Sequence, residues 1–381
     1  MIRFTAALCA LLPLAAFALP QPDAPSLKAK SYVLLDYASQ QVLAAKEPDL
    51  RVGPASLTKL MTAYIAFDEI QHGRIKPTDQ VLISEKAWRQ GMDSKESRMF
   101  IEVGKRVAVQ DLLHGIVIQS GNDASIALAE HLGGAEETFA GLMNAYAKKL
   151  GMVNTHFMNA TGVPDPQQHT SALDVAKLSA ALVRNFPEAY KLFSEKEFVF
   201  NKIKQPNRNR LLWRDPTVDG IKTGHTEESG YHLSASALRD GRRLISVVMG
   251  MDSEAARAEA SLALLNYGFR FFETAPAVAA KQPLVTIRAW NGDATELALG
   301  AVSAVAVSIP HGAKDRIKVE AQVNEPVYAP VVEGQPVGTL TVSLDGKVLR
   351  REPLVALAAL PEGGLVRRLS DGIQMWFQNL R

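Results

Sequence analysis

One cysteine, Cys9, stands in 381 residues, so a disulfide within the chain is excluded. Neither charge dominates: 42 Lys and Arg stand against 40 Asp and Glu, a net +2 that leaves no electrostatic footprint for nucleic acid. The 8 histidines form no His-Glu-x-x-His, and no Cys-x-x-Cys occurs, so neither a metal nor another cofactor is expected. The leading apolar run, Leu8 to Leu14 with Ala15 and Ala16, is too short for a stable membrane span. It follows Arg3 and precedes the cleavage-like Ala16-Phe17-Ala18, so residues 1–20 read as a secretory signal. Cys9 lies too near the start to be a lipoprotein site. The mature protein is therefore expected outside the cytoplasm and without cysteine, which also excludes thiol catalysis.

The length allows two domains, and an apolar share of 47% suffices for ordinary cores. Ser31–Asp36 reads as a strand, with residues 41–45 as its hairpin partner. A helix carrying Ser56 follows and ends near His72-Gly73. Val81-Leu82-Ile83 reads as a short strand with Ser84 as a cap. Residues 109–150 have helical spacing, broken at Ser120-Gly121-Asn122 and Gly133-Gly134. Residues 171–183 form another helix capped by Thr170 or Ser171, and Phe198 to Ile203 reads as extended. Three strands follow, at 218–224, 231–237 and 243–250, the last two joined by an Asp240-Gly241 turn. A helix capped by Asp252 or Ser253 runs to about Phe272. Strands at both ends with helices between them predict an α+β domain over residues 26–274, an antiparallel sheet with helices on its faces.

Near Thr274 the composition shifts, and Pro276 and Pro283 mark a linker. Residues 283–358 read as a small all-β, sandwich-like domain, with strands at 284–290, 302–309, 316–323, 326–331, 337–344 and 348–356. The tail, residues 362–381, changes period. Leu365, Leu369, Ile373, Trp376, Phe377 and Leu380 share one helical face, and Arg367, Arg368, Ser370, Asp371 and Gln374 fall on the other. Such a helix suits a membrane interface; docking on the β domain is the alternative.

Chemistry gathers in three short motifs. Ser56-Leu57-Thr58-Lys59 is the only Ser-x-x-Lys in the chain, and one helical turn brings its serine and lysine to one face. A serine becomes a nucleophile when a base lies within hydrogen-bond reach, and a lysine serves once its pKa is lowered. Ser120-Gly121-Asn122 sits at a helix junction and Lys222-Thr223-Gly224 on a strand. Singly, each is a common cap, turn or strand end. Together they supply what acyl transfer needs. Ser56 attacks a carbonyl, and Lys59 takes its proton, with Lys222 lowering the Lys59 pKa by repulsion. Ser120 bridges the two lysines and relays a proton to the leaving amine. Asn122 meets the substrate peptide. Lys222 and Thr223 suit a free carboxylate, and Gly224 lets a substrate backbone pass close. The N–H groups of Ser56 and His225 form the oxyanion hole.

With these motifs in this order, the chain resembles the low-molecular-mass penicillin-binding proteins of the D-alanyl-D-alanine carboxypeptidase family. Asn207-Arg208-Asn209, the continuation to His225-Thr226, and Gly268-Phe269-Arg270-Phe271-Phe272-Glu273-Thr274 add to the resemblance. It implies a transpeptidase-like (penicillin-binding-protein/β-lactamase-like) α+β domain, a β-rich second domain and an amphipathic anchor on the outer face of the inner membrane. The implied substrate is the peptidoglycan pentapeptide stem, which loses its last D-alanine, with β-lactams as inhibitors. Arg208 and Arg257 match family arginines near the active site.

Three rivals share parts of this pattern. A class A β-lactamase needs a Glu-x-x-Leu-Asn segment, which is absent between Ser120 and Lys222. A D,D-endopeptidase would use the same core, but the β domain and tail argue against it. A wall-binding scaffold would not need Ser56, Lys59, Ser120 and Lys222 intact.

Overall fold

The computed structural model describes residues 23–90 and 96–378; the expected signal segment lies outside them. A five-stranded antiparallel sheet organises the first part. Its strands are β1 (Ser31–Asp36), β2 (Val42–Lys46), β3 (Val218–Thr226), β4 (Gly230–Arg239) and β5 (Arg242–Met251), in the order β2-β1-β5-β4-β3. The first hairpin thus closes against the last strand, with Val33 opposite Val247. Side chains alternate between two cores, as a period of two requires. Val33, Leu35, Ile221, Ile245 and Val247 face one core; Leu34, Leu233, Ala235 and Leu244 face the other.

Helices α1 (Lys59–Gln71), α2 (Asn122–Gly133), α3 (Glu136–Lys149) and α4 (Ala172–Asn185) build the first core. Helix α5 (Glu254–Phe271) covers the opposite face. Covering both faces explains why β5 is apolar almost throughout. The caps resolve to Ser171, which accepts from the Asp174 N–H, and Ser253, which accepts from the Ala256 N–H.

Residues 198–203 are not one extended run. They belong to a hairpin of Glu197–Phe200 and Ile203–Pro206, because Asn201 and Lys202 both take positive φ, the signature of a tight hairpin turn. The expected linker is also a strand. After α5 the chain enters β6 (Phe272–Val278), a proline-tolerant edge that pairs with β9 (Val305–Pro310). The six-stranded sheet beside it contains β7 (Val285–Trp290), β8 (Glu296–Gly300), β10 (Ile317–Val323), β11 (Val327–Tyr328), β12 (Pro336–Leu344) and β13 (Lys347–Ala356), in the order β10-β12-β13-β8-β7-β11. Strand β8 was not expected, and the strand expected over 326–331 shrinks to two residues. Both sheets share one core, centred on Leu299, Val307, Leu340 and Leu354. Polar contacts tie this β module to the first hairpin: Ser39 Oγ lies 2.8 Å from Ser308 Oγ, and Arg350 donates to the Ser39 carbonyl at 2.8 Å.

Helix α6 (Leu365–Gln378) ends the described chain. Its polar side docks on the β module. Buried Asp371 accepts from Arg288 at 3.1 Å and from the Asn291 N–H at 2.8 Å. Its apolar side, Leu365, Val366, Leu369, Ile373 and Trp376, stands exposed. Leu380 and the Phe377 side chain, expected on the same side, lie outside what is described. Among the described residues no helix is long and apolar enough to cross a membrane.

Candidate active site

Ser56 sits in a 3-10 turn, Ala55–Thr58, rather than in the α-helix that follows it. Ala55 enters the turn with a left-handed φ of 47°, a backbone state that a non-glycine residue adopts at some cost. The turn runs directly into α1 and places the Lys59 ammonium 2.9 Å from Ser56 Oγ. Lys59 is buried, and a buried cation must find hydrogen-bond acceptors. Besides Ser56 it donates to Asn122 Oδ1 and to the Thr161 carbonyl, each at 2.6 Å. Burial brings its pKa down to about 7; Arg208 adds to the decrease, and Glu96 and Asp123 oppose it.

Thr161 comes from a turn held by Asn159, whose Oδ1 accepts from the Thr161 and Gly162 N–H groups. Gly162 has φ +90°, and a Cβ there would lie 1.8 Å from the Ala55 carbonyl oxygen, so only glycine fits beside the Ser56 turn.

The Ser120 wall follows a π-helical turn, Gly115–Gln119, and Ser120 itself is left-handed at φ 69°. Its hydroxyl is buried and has no hydrogen-bond partner among the described residues. The expected bridge between the lysines is therefore not made. Lys59 spends its three bonds as above, and Lys222 donates to the Thr223 carbonyl at 3.1 Å. The expected repulsion between the two lysines is felt at Lys222, and a like-charge repulsion acts on both partners. Lys222 lies well below its ordinary pKa because of burial first and then Lys59, Arg208 and Arg257.

Asn122 donates through Nδ2 to Glu96. Glu96 belongs to a loop lashed onto the start of α2. The Asn122 N–H donates to the Ser97 carbonyl at 2.7 Å. The Asp123 carboxylate accepts from the N–H groups of Met99, Phe100 and Ile101 at 2.8, 3.0 and 3.3 Å.

On the sheet side, Thr223, Gly224 and His225 line the cleft along edge strand β3. The close approach that Gly224 permits is to the turn carrying Ser56: a Cβ would sit 3.2 Å from both the Ala55 Cβ and the Pro54 carbonyl oxygen. Tyr231, opposite His225 in the hairpin, stacks on its ring at 4.0 Å, and the Arg257 guanidinium lies over the Tyr231 ring, 5.5 Å from its centroid. Arg257 is buried, donates to the Gly224 carbonyl at 3.1 Å, and has its pKa lowered to about 10 by burial. Arg208 stands exposed on the cleft lining; buried Asn207 and Asn209 pin its backbone, Asn209 by donating to the Gly220 carbonyl at 2.8 Å.

All ten expected site residues thus lie in or directly against one cleft of about 930 Å³. Glu96, Thr161 and Tyr231 were not expected there. Tyr231 could have been found by counting the hairpin register back from His225.

A family model described as D-alanyl-D-alanine carboxypeptidase matches residues 19–253. The chain belongs to that family. Its class follows: a serine-type D-Ala-D-Ala carboxypeptidase, a penicillin-binding protein. A second model, the C-terminal domain of penicillin-binding protein 5, matches residues 272–362. The carboxypeptidase is 46% identical to the D-alanyl-D-alanine carboxypeptidase DacC of Escherichia coli, over 95% of this chain and 92% of the relative. It is 42% identical to DacA of the same species, over 94% and 90%. Penicillin binding protein 5 from Haemophilus influenzae superposes with a TM-score of 0.86 at 41% identity, covering 90% of this chain and 100% of that one. A DD-transpeptidase from Streptomyces, at a TM-score of 0.61 and 27% identity, covers 65% of this chain and 99% of its own. That smaller relative leaves about a third of the carboxypeptidase, the size of the β module and tail, without a counterpart.

Proposed function

We propose that the carboxypeptidase works through an ester on Ser56. Neutral Lys59 removes the Ser56 proton as Oγ bonds to the carbonyl carbon of the penultimate D-alanine. The negative oxygen is held by the N–H groups of Ser56 and His225. The C–N bond then breaks, and Lys59 gives the proton up to the leaving amine, with the unpartnered Ser120 hydroxyl on the cleft wall available to relay it once substrate is bound, so that free D-alanine departs. Water adds to the ester, and Ser56 is regenerated with its proton. The carrying observation is the 2.9 Å contact between Lys59 Nζ and Ser56 Oγ, with the lysine pKa at about 7. A base titrating there is neutral in half its copies at neutral pH, and activity rises as pH passes through that value.

The rest of the cleft fits a peptide that ends in a carboxylate. Lys222, Thr223, Arg208 and Arg257 offer charge and donors to that carboxylate. The second N–H of the Asn122 amide is left for a substrate carbonyl, and Gly224 and His225 present the strand edge along which the peptide lies. The substrate is the peptidoglycan pentapeptide stem, and β-lactams acylate Ser56 in its place. The chain is exported by residues 1–20, residues 26–274 carry catalysis, and residues 283–358 with β6 form a spacer. Residues 362–381 rest the enzyme on the outer face of the inner membrane through the exposed side of α6. The test is release of D-alanine from a synthetic peptide ending in D-Ala-D-Ala. Ser56→Ala abolishes it; unchanged release by that variant would refute the mechanism.

A further inference from the structure

An asparagine side chain has nearly the same shape in either orientation, and its hydrogen-bond partners decide which end is oxygen. Asn122 lies between Lys59 and Glu96. A carboxylate can only accept, so Nδ2 faces Glu96 and Oδ1 faces Lys59. Lys59 Nζ has three neighbours: Ser56 Oγ, Asn122 Oδ1 and the Thr161 carbonyl. Two of them can only accept. When the amine is neutral, its two N–H bonds go to those two, and its lone pair is left for the one neighbour that can donate, the Ser56 hydroxyl. A flipped Asn122 would donate to Nζ and occupy the lone pair itself.

We propose that Glu96 is a positioning residue that locks the Asn122 amide and so keeps the Lys59 lone pair aimed at Ser56. The inference rests on the reading of Lys59 as the base. Glu96 can hold this position because its loop is fastened to α2 through the Ser97 carbonyl and the Asp123 carboxylate. The charged groups that act on the Lys59–Lys222 pair come from every side of the cleft. Glu96 comes from the loop, Asp123 from α2, Arg208 from the segment before β3, Lys222 from β3 and Arg257 from α5. Among them Glu96 and Asp123 favour the protonated Lys59, and Arg208 disfavours it.

The test is the pH dependence of Ser56 acylation by a fluorescent penicillin in the full chain, for wild type, Glu96→Gln, Glu96→Ala and Lys59→Ala. Glutamine keeps an acceptor for Asn122 Nδ2 but carries no charge. Both Glu96 variants therefore move the acidic limb to lower pH, raising the ratio of the rate at about pH 6 to that at about pH 8.5 roughly threefold. Glu96→Ala also lowers the high-pH rate about tenfold, and Glu96→Gln recovers most of that loss. An unmoved limb, or equal high-pH rates in the two variants, overturns the proposal. So does a Glu96→Gln enzyme that acylates normally and then retains the label, which would put Glu96 on the deacylating water. If Lys59→Ala acylates with the wild-type limb, the base assignment itself fails. If Lys59→Ala is silent while both Glu96 variants match wild type, only the role of Glu96 fails.

Discussion

In the cleft, Lys59 and Lys222 keep 1% and 2% of their surface, whereas on α6 Leu365 and Val366 keep 71% and 83%. The two regions reverse the usual placement of charge and hydrocarbon in opposite directions. Burying a cation is costly unless acceptors replace its water. Here three acceptors hold Lys59, and the remaining penalty appears as a pKa of about 7. Leaving hydrocarbon in water is also unfavourable, at roughly 25 cal/mol per Å². On α6 the polar face cannot turn outward to relieve this, because Asp371 is already bound to Arg288 and Asn291. A buried charge thus carries a lowered pKa, and a docked polar face holds an apolar face exposed, the surface proposed above for the membrane.

The comparison breaks most sharply at Lys59. Lys59→Ala slows acylation by penicillin by on the order of 10²–10⁴-fold while the circular dichroism spectrum stays that of a folded chain. Rapid labelling of this variant would move the base elsewhere. Next in size is removal of α6. A chain ending at Pro361 leaves the membrane fraction and still releases D-alanine. If it stays on membranes, the exposed side of α6 is not the adhesive surface. The smallest effect is expected from Asp371→Ala, which removes the docking contact. Amide exchange over residues 365–378 accelerates, consistent with a loss of about 1–2 kcal/mol locally, and turnover of a soluble peptide stays as it was. Slowed turnover would tie the foot of the molecule to its cleft.

Much of this was legible in the chain because the relevant residues are neighbours in sequence. The strands of the first sheet follow from apolar runs ended by Asp240-Gly241 and by the cap residues, and both helix caps lay among the expected pairs. Each catalytic motif carries its chemistry within three or four residues. What escaped depends on distant placement. Thr161 contributes its backbone carbonyl, which any residue possesses. Glu96 reaches Asn122 across 26 residues, through a loop with no motif of its own. Strand β6 was hidden by its one proline, Pro276, which edge pairing tolerates, and β8, Glu296–Gly300, by a charged start and a glycine end. Burial, the largest cause of the lowered pKa of both lysines, is also something a linear pattern does not contain.

Gly162 and Gly224 press on the Ser56 turn from two different elements: a methyl group has no space at Gly162, and at Gly224 it would have to push the turn by a few tenths of an ångström. Ser56 therefore has little room to shift if it carries the proposed acyl group. Any extra width has to come from the facing wall, the loop through Glu96 and the turn at Ser120. On the proposed mechanism, changes in which acyl groups are accepted arise in that wall, through its fastening to Asp123, while Ser56 and its two glycine neighbours stay as they are.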